Sequence, residues 1–225
     1  MIDYKSYDIS LDIEYHINMA AKLFNTDTVK VTGAKGHNKF VNIKGDDKSK
    51  LQHLVDSIVG TQLDWNFDYF HSGEPAGLHT DNDTVPWDST VDCNVVAGVI
   101  IPLEWTCKQP YTVNYNKVSD VPRKMMYRRG EMRYTHNDEV YHYRDRWEYD
   151  LEVLKYNPAD CAYAKEYADL KVDSVYEWKI GTLLLFNAAR WHSSSWFLKD
   201  RMIPEVSTEY KRSIIGFGSI DVQRS

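Results

Sequence analysis

The stretch Gly77-Leu78-His79-Thr80-Asp81 decides how the fold of this chain is interpreted. On a β-strand, residues two apart point their side chains to the same face of the sheet. The imidazole of His79 and the carboxylate of Asp81 can therefore reach one metal ion from two adjacent corners. A His-x-Asp triplet also occurs by chance among polar loop residues, so this stretch alone is weak evidence for a metal site.

Two stretches far downstream strengthen the metal interpretation. The apolar run 181–187 leads to Trp191-His192-Ser193, and the strand-like run 211–218 follows it. His192 would complete a set of two histidines and one carboxylate, which suits Fe(II) and leaves open positions for other ligands. Asp83 is a weaker alternative to Asp81 because it lies four residues from His79, and His71 precedes the turn and is interpreted as structural.

Composition restricts the protein class. The 225 residues with 43% hydrophobic content predict one globular domain over 1–225. The net charge of -6 gives no reason to expect a nucleic-acid or membrane partner. Three widely spaced cysteines fit a reducing compartment. No signal-peptide pattern is visible, and the longest apolar run is too short to span a bilayer, so we expect a cytoplasmic protein.

Periodicity predicts a mainly β chain with flanking helices. The apolar spacing in 51–59 indicates an amphipathic helix that ends at Gly60. The run 93–103 is apolar except for Asn94, as in a strand buried on both faces. Predicted strands also cover 28–32, 63–70, 181–186 and 211–222.

The segment 106–176 differs from the rest. It holds eleven of the sixteen tyrosines and a basic cluster, and it shows poor periodicity apart from a short helical pattern at 158–170. A long insertion between core strands is more often a functional lid than an idle loop. We therefore predict a lid over 106–176, in which most tyrosines pack the lid onto the core.

The order of these motifs resembles the 2-oxoglutarate- and Fe(II)-dependent dioxygenase superfamily, and its prolyl-hydroxylase-like branch above all. The resemblance covers about residues 60–105 and 178–222. It implies a double-stranded β-helix (jelly roll) core, with His79, Asp81 and His192 as Fe(II) ligands. Arg212 falls where the family places the basic residue that binds the distal carboxylate of 2-oxoglutarate, and a guanidinium can bind a carboxylate bidentately.

The resemblance implies an oxidoreductase that uses Fe(II), 2-oxoglutarate and O2, releases succinate and CO2, and hydroxylates an unactivated C–H bond. Many relatives carry a tyrosine nine or ten residues before the first histidine, where Tyr69 and Phe70 both stand here. Which of them faces the cosubstrate stays open, and Tyr69 is the candidate. Asn94 either caps a neighbouring loop or supplies a polar contact to the cosubstrate pocket.

Alternatives from other classes are a non-catalytic jelly-roll binding protein and a cupin-type metal-dependent isomerase or hydrolase. Cupins usually carry more histidines on the first metal-binding strand and need no arginine at the end of the barrel. Nucleic-acid demethylases of the superfamily carry a second arginine six residues after the first, where this chain has Gly218. A peptidyl, prolyl-type substrate or a small amino-acid-like molecule is therefore expected.

Overall fold

Two antiparallel β-sheets and two helices make up the part of the protein that the computed structural model describes, residues 4–26, 29–32, 38–73, 81, 94–107, 109–118, 172–195 and 210–220. The helices are α1 (Ile13–Leu23) and α2 (Gly45–Val59). The strands are β1 (Lys5–Asp8), β2 (Lys30–Thr32), β3 (Asn38–Asn42), β4 (Asp64–Ser72), β5 (Asn94–Trp105), β6 (Tyr111–Val118), β7 (Val172–Glu177), β8 (Thr182–Asn187), β9 (Arg190–Ser195) and β10 (Lys211–Ile220).

The chain alternates between the sheets in its second half. The first sheet has the order β1-β8-β5-β10-β4-β3-β2, and the second has the order β7-β6-β9. After β5 in the first sheet, the chain forms β6 and β7 in the second sheet. It then returns to the first sheet for β8, crosses to the second for β9 and ends in the first with β10. Strands that are distant in sequence therefore become neighbours, and β10 pairs with both β4 and β5.

Both helices pack on the outer face of the first sheet. Ala20 of α1 and Leu51 and Val55 of α2 are buried in one core cluster with Trp65 and Phe67 of β4. Complete burial of one Leu or Val side chain contributes about 1.5–3 kcal/mol. This helix layer leaves the opposite, inner face of the first sheet for contact with the second sheet.

A smaller apolar cluster lies between the two sheets. It contains Tyr4 together with Leu184 and Phe186 of β8, and Ile100 of β5 and Tyr176 of β7 pack against it. Tyr176 belongs to the second sheet and the other strand residues to the first. The cluster therefore joins the inner faces of the two sheets beside the candidate site.

Several predicted elements agree with the structure. The helix predicted at 51–59 is the second half of α2, and Gly60 ends it in the left-handed region at φ +75°, which glycine adopts without strain. The strands predicted at 28–32, 63–70, 93–103, 181–186 and 211–222 correspond to β2, β4, β5, β8 and β10.

Other elements differ from the prediction. Helix α1 was not expected, and it begins at Asp12, whose carboxylate accepts a hydrogen bond from the Tyr15 amide at 2.9 Å. The predicted lid 106–176 begins and ends in sheet strands, because β6 and β7 pair with each other and β6 also pairs with β9. Residues 119–171, including the predicted helix 158–170, lie outside the described residues.

Neither α1, with 11 residues, nor α2, with 15, is a candidate for crossing a bilayer among the residues described.

Candidate metal and cosubstrate site

Asp81 and His192 lie together beside the turn between β8 and β9. The Asp81 amide donates a hydrogen bond to the Ala188 carbonyl at 2.6 Å, which fixes the backbone of Asp81 at this turn. His192 is on β9, and its Nε2 lies 3.1 Å from Asp81 Oδ2. Both residues are almost completely buried, with 6% and 4% of their surface exposed. The structure thus brings together two of the three side chains predicted to bind the metal.

The tautomer of His192 is set by its own strand. Nδ1 lies 2.9 Å from the carbonyl oxygen of Arg190, which can only accept, so Nδ1 carries the proton. In the neutral ring Nε2 then presents a lone pair toward the Asp81 carboxylate. Two acceptors at 3.1 Å repel each other unless a proton or a cation lies beside both. A proton or a metal cation between the two atoms would therefore stabilise the pair.

The separation of the two atoms also fits a metal ion. Imidazole nitrogen and carboxylate oxygen bind ions such as zinc at about 2.0–2.2 Å, so two ligands at a right angle stand about 3.0 Å apart. Nε2 and Oδ2 are 3.1 Å apart. His79 is outside the described residues, and no group of three metal-binding side chains occurs among those described. Its role as the third ligand stays a prediction.

Aromatic rings form one wall of the site. The Phe186 ring lies 5.0 Å from the His192 ring and 5.2 Å from the Tyr4 ring, measured between centroids. A Cβ at Gly98 would meet the Phe186 ring at 2.2 Å. Glycine at this position of β5 therefore lets the Phe186 ring lie against the strand, beside the His192 ring.

A buried lysine lies on the inner face of β10. Lys211 is 3% exposed, and its Nζ stands 4.5 Å from the centroid of the Trp178 ring. Trp178 Nε1 donates to Thr112 Oγ1 of β6 at 2.9 Å, so this lysine lies against the second sheet. Burial lowers the pKa of Lys211 to about 7, because the charged form loses water, although Cys107 nearby acts in the opposite direction.

Further polar atoms face the same interior. Ser213, two residues after Lys211, is buried, and its Oγ has no hydrogen-bond partner among the described residues. Asn114 is opposite His192 in the register of β6 and β9, and its Oδ1 is buried without a described partner. Buried polar groups are nearly always hydrogen-bonded in folded proteins. These two atoms therefore keep hydrogen-bonding capacity that the other described residues do not use.

Arg212 is not at this interior, which differs from the expectation. Its guanidinium bonds Glu104, donates from Nε to His71 Nδ1 at 3.2 Å and stands 5.6 Å from the Phe24 ring at the end of α1. Ile214, two residues further on, belongs to the core under the helices. Alternation along β10 therefore places Arg212 on the helix side and Lys211 and Ser213 on the inner side.

Tyr69 is also on the helix side, contrary to its predicted role. It is 1% exposed, belongs to the core under the helices, and its hydroxyl lies 2.8 Å from His16 Nδ1 of α1. The Phe70 side chain points to the opposite face of β4, and its ring stacks on the Phe40 ring with centroids 4.6 Å apart. Of the two candidates, Phe70 is thus on the inner face, and it has no polar group to offer a cosubstrate.

For Asn94 only the backbone is described, at the first position of β5 opposite Ile220 of β10. Its proposed polar contact stays a prediction. Sequence reasoning missed Ser213, Thr112 and Tyr4, and it offered Lys211, like Arg190, only as an alternative to Arg212. The sequence alone did not separate Lys211 from Arg212, because both parities of β10 carry apolar residues, Ile214 on one and Phe217 on the other.

The chain is similar to known proteins in its fold and not in its sequence. No family model matches the chain, and no curated protein matches it in sequence. Among solved structures it is similar to the non-haem α-ketoglutarate-dependent carbocyclase SnoK from nogalamycin biosynthesis, with 11% identity, a TM-score of 0.56, and coverage of 97% of this chain and 79% of SnoK.

Two further structures are similar over most of their length. The epimerase SnoN, in complex with Fe3+, α-ketoglutarate and nogalamycin RO, has 11% identity and a TM-score of 0.53, with coverage of 96% of this chain and 78% of SnoN. HygX from Streptomyces hygroscopicus, with nickel and 2-oxoglutarate bound, has 9% identity and a TM-score of 0.50, with coverage of 96% and 83%. The chain therefore has the fold seen in 2-oxoglutarate- and Fe(II)-dependent oxygenases.

Proposed function

We propose that the protein is an Fe(II)- and 2-oxoglutarate-dependent dioxygenase that oxidises an unactivated C–H bond. The observation that carries this proposal is the buried pair of Asp81 and His192, whose Oδ2 and Nε2 atoms are 3.1 Å apart. The strand alternation between the two sheets supports a double-stranded β-helix around this pair. A buried imidazole in contact with a buried carboxylate also supplies two of the ligand types that suit Fe(II).

His79, Asp81 and His192 would hold the metal. One carboxylate and two neutral imidazoles leave open positions for other ligands. When bound there, Fe(II) with 2-oxoglutarate and O2 supplies the oxidising power and yields succinate and CO2. The protein's own part is to hold the ligands still. The Arg190 carbonyl fixes the His192 ring through Nδ1, and the Ala188 carbonyl fixes Asp81 through its amide.

Lys211, in place of Arg212, is proposed to bind the distal carboxylate of 2-oxoglutarate. It lies on the inner face of β10 against Trp178, whereas Arg212 already bonds Glu104 on the helix side. An anion beside Lys211 would favour its ammonium form, which burial alone disfavours. Ser213 Oγ, buried on the same face, would donate the second hydrogen bond to that carboxylate.

Two substrate classes remain in the proposal. A peptidyl, prolyl-type residue is expected from the motif resemblance. A small molecule is favoured by SnoN, whose structure contains nogalamycin RO. SnoK and SnoN are a carbocyclase and an epimerase, so this fold also supports outcomes of C–H oxidation other than hydroxylation.

The test begins without a substrate. Fe(II) and 2-oxoglutarate are added to the protein under anaerobic conditions, and we expect a visible charge-transfer band from the chelate. Asp81→Ala should abolish the band, and Asp8→Ala should keep it, because the Asp8 side chain is 91% exposed in a surface ion pair. Absence of the band from the wild-type protein would contradict the proposal.

Product mass then separates the reaction types. Peptides and small molecules are incubated with the loaded enzyme in air, and succinate is measured beside the mass of each candidate substrate. Hydroxylation adds one oxygen atom, ring closure removes two hydrogen atoms, and epimerisation leaves the mass unchanged. Succinate that forms in proportion to one of these changes identifies both the substrate class and the outcome.

A further inference from the structure

We propose that the hydroxyl of Tyr4, with Nε of Arg190 as a second donor, hydrogen-bonds the metal-chelating carboxylate of bound 2-oxoglutarate. This inference rests on the proposed function and adds two binding residues to it. It assigns a role in the site to the segment that leads into β1, outside the alternating strands β5 to β10. The ligand class is a carboxylate, because the Arg190 guanidinium can only donate and the Tyr4 hydroxyl can donate to the same acceptor.

The Tyr4 ring is held rigidly beside the metal ligands. It stacks on Phe186 with centroids 5.2 Å apart and on Tyr176 with centroids 5.5 Å apart, and it lies 6.3 Å from the His192 ring. The Tyr176 hydroxyl donates to the Tyr4 carbonyl at 2.8 Å, which fixes the backbone as well. Only 7% of Tyr4 is exposed. The phenol therefore cannot turn toward solvent without losing both stacks.

The hydroxyl of Tyr4 has no hydrogen-bond partner among the described residues. A buried donor without a partner lowers stability, so its retention calls for an acceptor that comes with a ligand. A phenol is protonated at physiological pH, so the Tyr4 hydroxyl can donate this hydrogen bond.

Arg190 supplies the second donor. It is two residues before His192 on β9, so both side chains point to the inner face. Its Nη1 stands 3.7 Å from Asp173 Oδ2, and its Nε is buried without a partner among the described residues. A carboxylate oxygen accepts several hydrogen bonds, and bonds to a charged acceptor are the strong ones. A carboxylate beside Asp81 and His192 would therefore satisfy both donors at once.

The experiment compares Tyr4→Phe with wild type in anaerobic titrations of the Fe(II) protein with 2-oxoglutarate. The variant keeps both ring stacks and loses the hydroxyl. We expect its dissociation constant for 2-oxoglutarate to rise on the order of tenfold, with a shifted absorption maximum of the charge-transfer band. The melting temperature without ligand should stay the same or rise, because an unsatisfied buried group has been removed.

Tyr176→Phe is the matched control. It removes a hydroxyl from the same stack, but that hydroxyl bonds the Tyr4 backbone and no ligand. We expect a lower melting temperature and an unchanged dissociation constant. Arg190→Lys is the second test variant, since it keeps the charge near Asp173 and loses Nε; its 2-oxoglutarate binding should weaken as well.

The outcomes separate the two proposals. If wild type binds 2-oxoglutarate while Tyr4→Phe and Arg190→Lys bind it equally well, the inference is wrong and the proposed function stands. The inference is also wrong if Tyr176→Phe weakens binding as much as Tyr4→Phe, because the stack and not the hydroxyl would then matter. If wild type shows no band with Fe(II) and 2-oxoglutarate, the proposed function itself is wrong.

Discussion

Lys211 and Arg212 are adjacent in sequence, but their side chains point to opposite faces of β10. We therefore expect substitutions at the two positions to affect different properties, ligand binding at one and stability at the other. Lys211→Met should weaken 2-oxoglutarate binding by about 2–5 kcal/mol, because the distal carboxylate loses its buried partner. Arg212→Ala should leave that binding unchanged and lower stability by about 1–2 kcal/mol, through lost contacts with Glu104 and the Phe24 and Tyr210 rings. Anaerobic titration and denaturant unfolding measure the two effects. Weak binding in Arg212→Ala with normal binding in Lys211→Met would restore Arg212 as the anchor.

The lowered pKa of Lys211 should make both the stability of the protein and its binding of 2-oxoglutarate depend on pH. Its pKa is about 7 in the folded protein against an ordinary value of 10.5. Between these values the unfolded chain holds a proton that the folded chain has lost, so this residue makes stability rise as pH increases from 7 to 10.5. Binding of 2-oxoglutarate needs the ammonium form and should weaken over the same range. Lys211→Met should flatten both trends, as unfolding and titration curves at several pH values would show. Parallel curves for the two proteins would contradict this role.

At the scale of elements, α1 contacts Tyr69 through His16, and the start of the helix depends on one N-cap. The Asp12 carboxylate accepts from the Tyr15 amide at 2.9 Å. Asp12→Ala should lower the free energy of unfolding by about 1 kcal/mol, whereas Asp12→Ser should recover most of the loss. Chemical denaturation measures both. Binding of 2-oxoglutarate should not change, because α1 lies on the far side of the first sheet; a change would link the helix layer to the site.

The elements that could be predicted from the sequence are those whose buried face carries a regular pattern of apolar residues. The continuous apolar run of β5 and the helical spacing of α2 with Gly60 are examples. Strand β6 was missed because its inner face carries polar residues such as Thr112 and Asn114, which face the site. The order of the motifs predicted Asp81 and His192 as candidate metal ligands. It could not predict which of Lys211 and Arg212 faces the interior, because that depends on how β10 pairs with its neighbouring strands.

At the scale of the whole molecule, the proposed metal would join parts of the chain that are far apart in sequence. Asp81 follows β4 and His192 lies on β9, more than one hundred residues later. A ligand that binds only the folded state stabilises it, by about 2.7 kcal/mol at one hundred times its dissociation constant. For a chain of this size each kcal/mol raises the melting temperature by about 2–4 °C.

Anaerobic Fe(II) at one hundred times its dissociation constant should therefore raise the melting temperature of the wild-type protein by about 5–10 °C, and a chelator should reverse the rise. His79→Ala, Asp81→Ala and His192→Ala should each lose most of this shift and all Fe(II)-dependent succinate production. Asp8→Ala should keep both, because its side chain is exposed in a surface ion pair with Lys179. A full thermal shift in His79→Ala would remove that residue from the ligand set, and a full shift in His192→Ala would mean that the ion binds elsewhere and that the buried pair with Asp81 is a hydrogen bond through a shared proton.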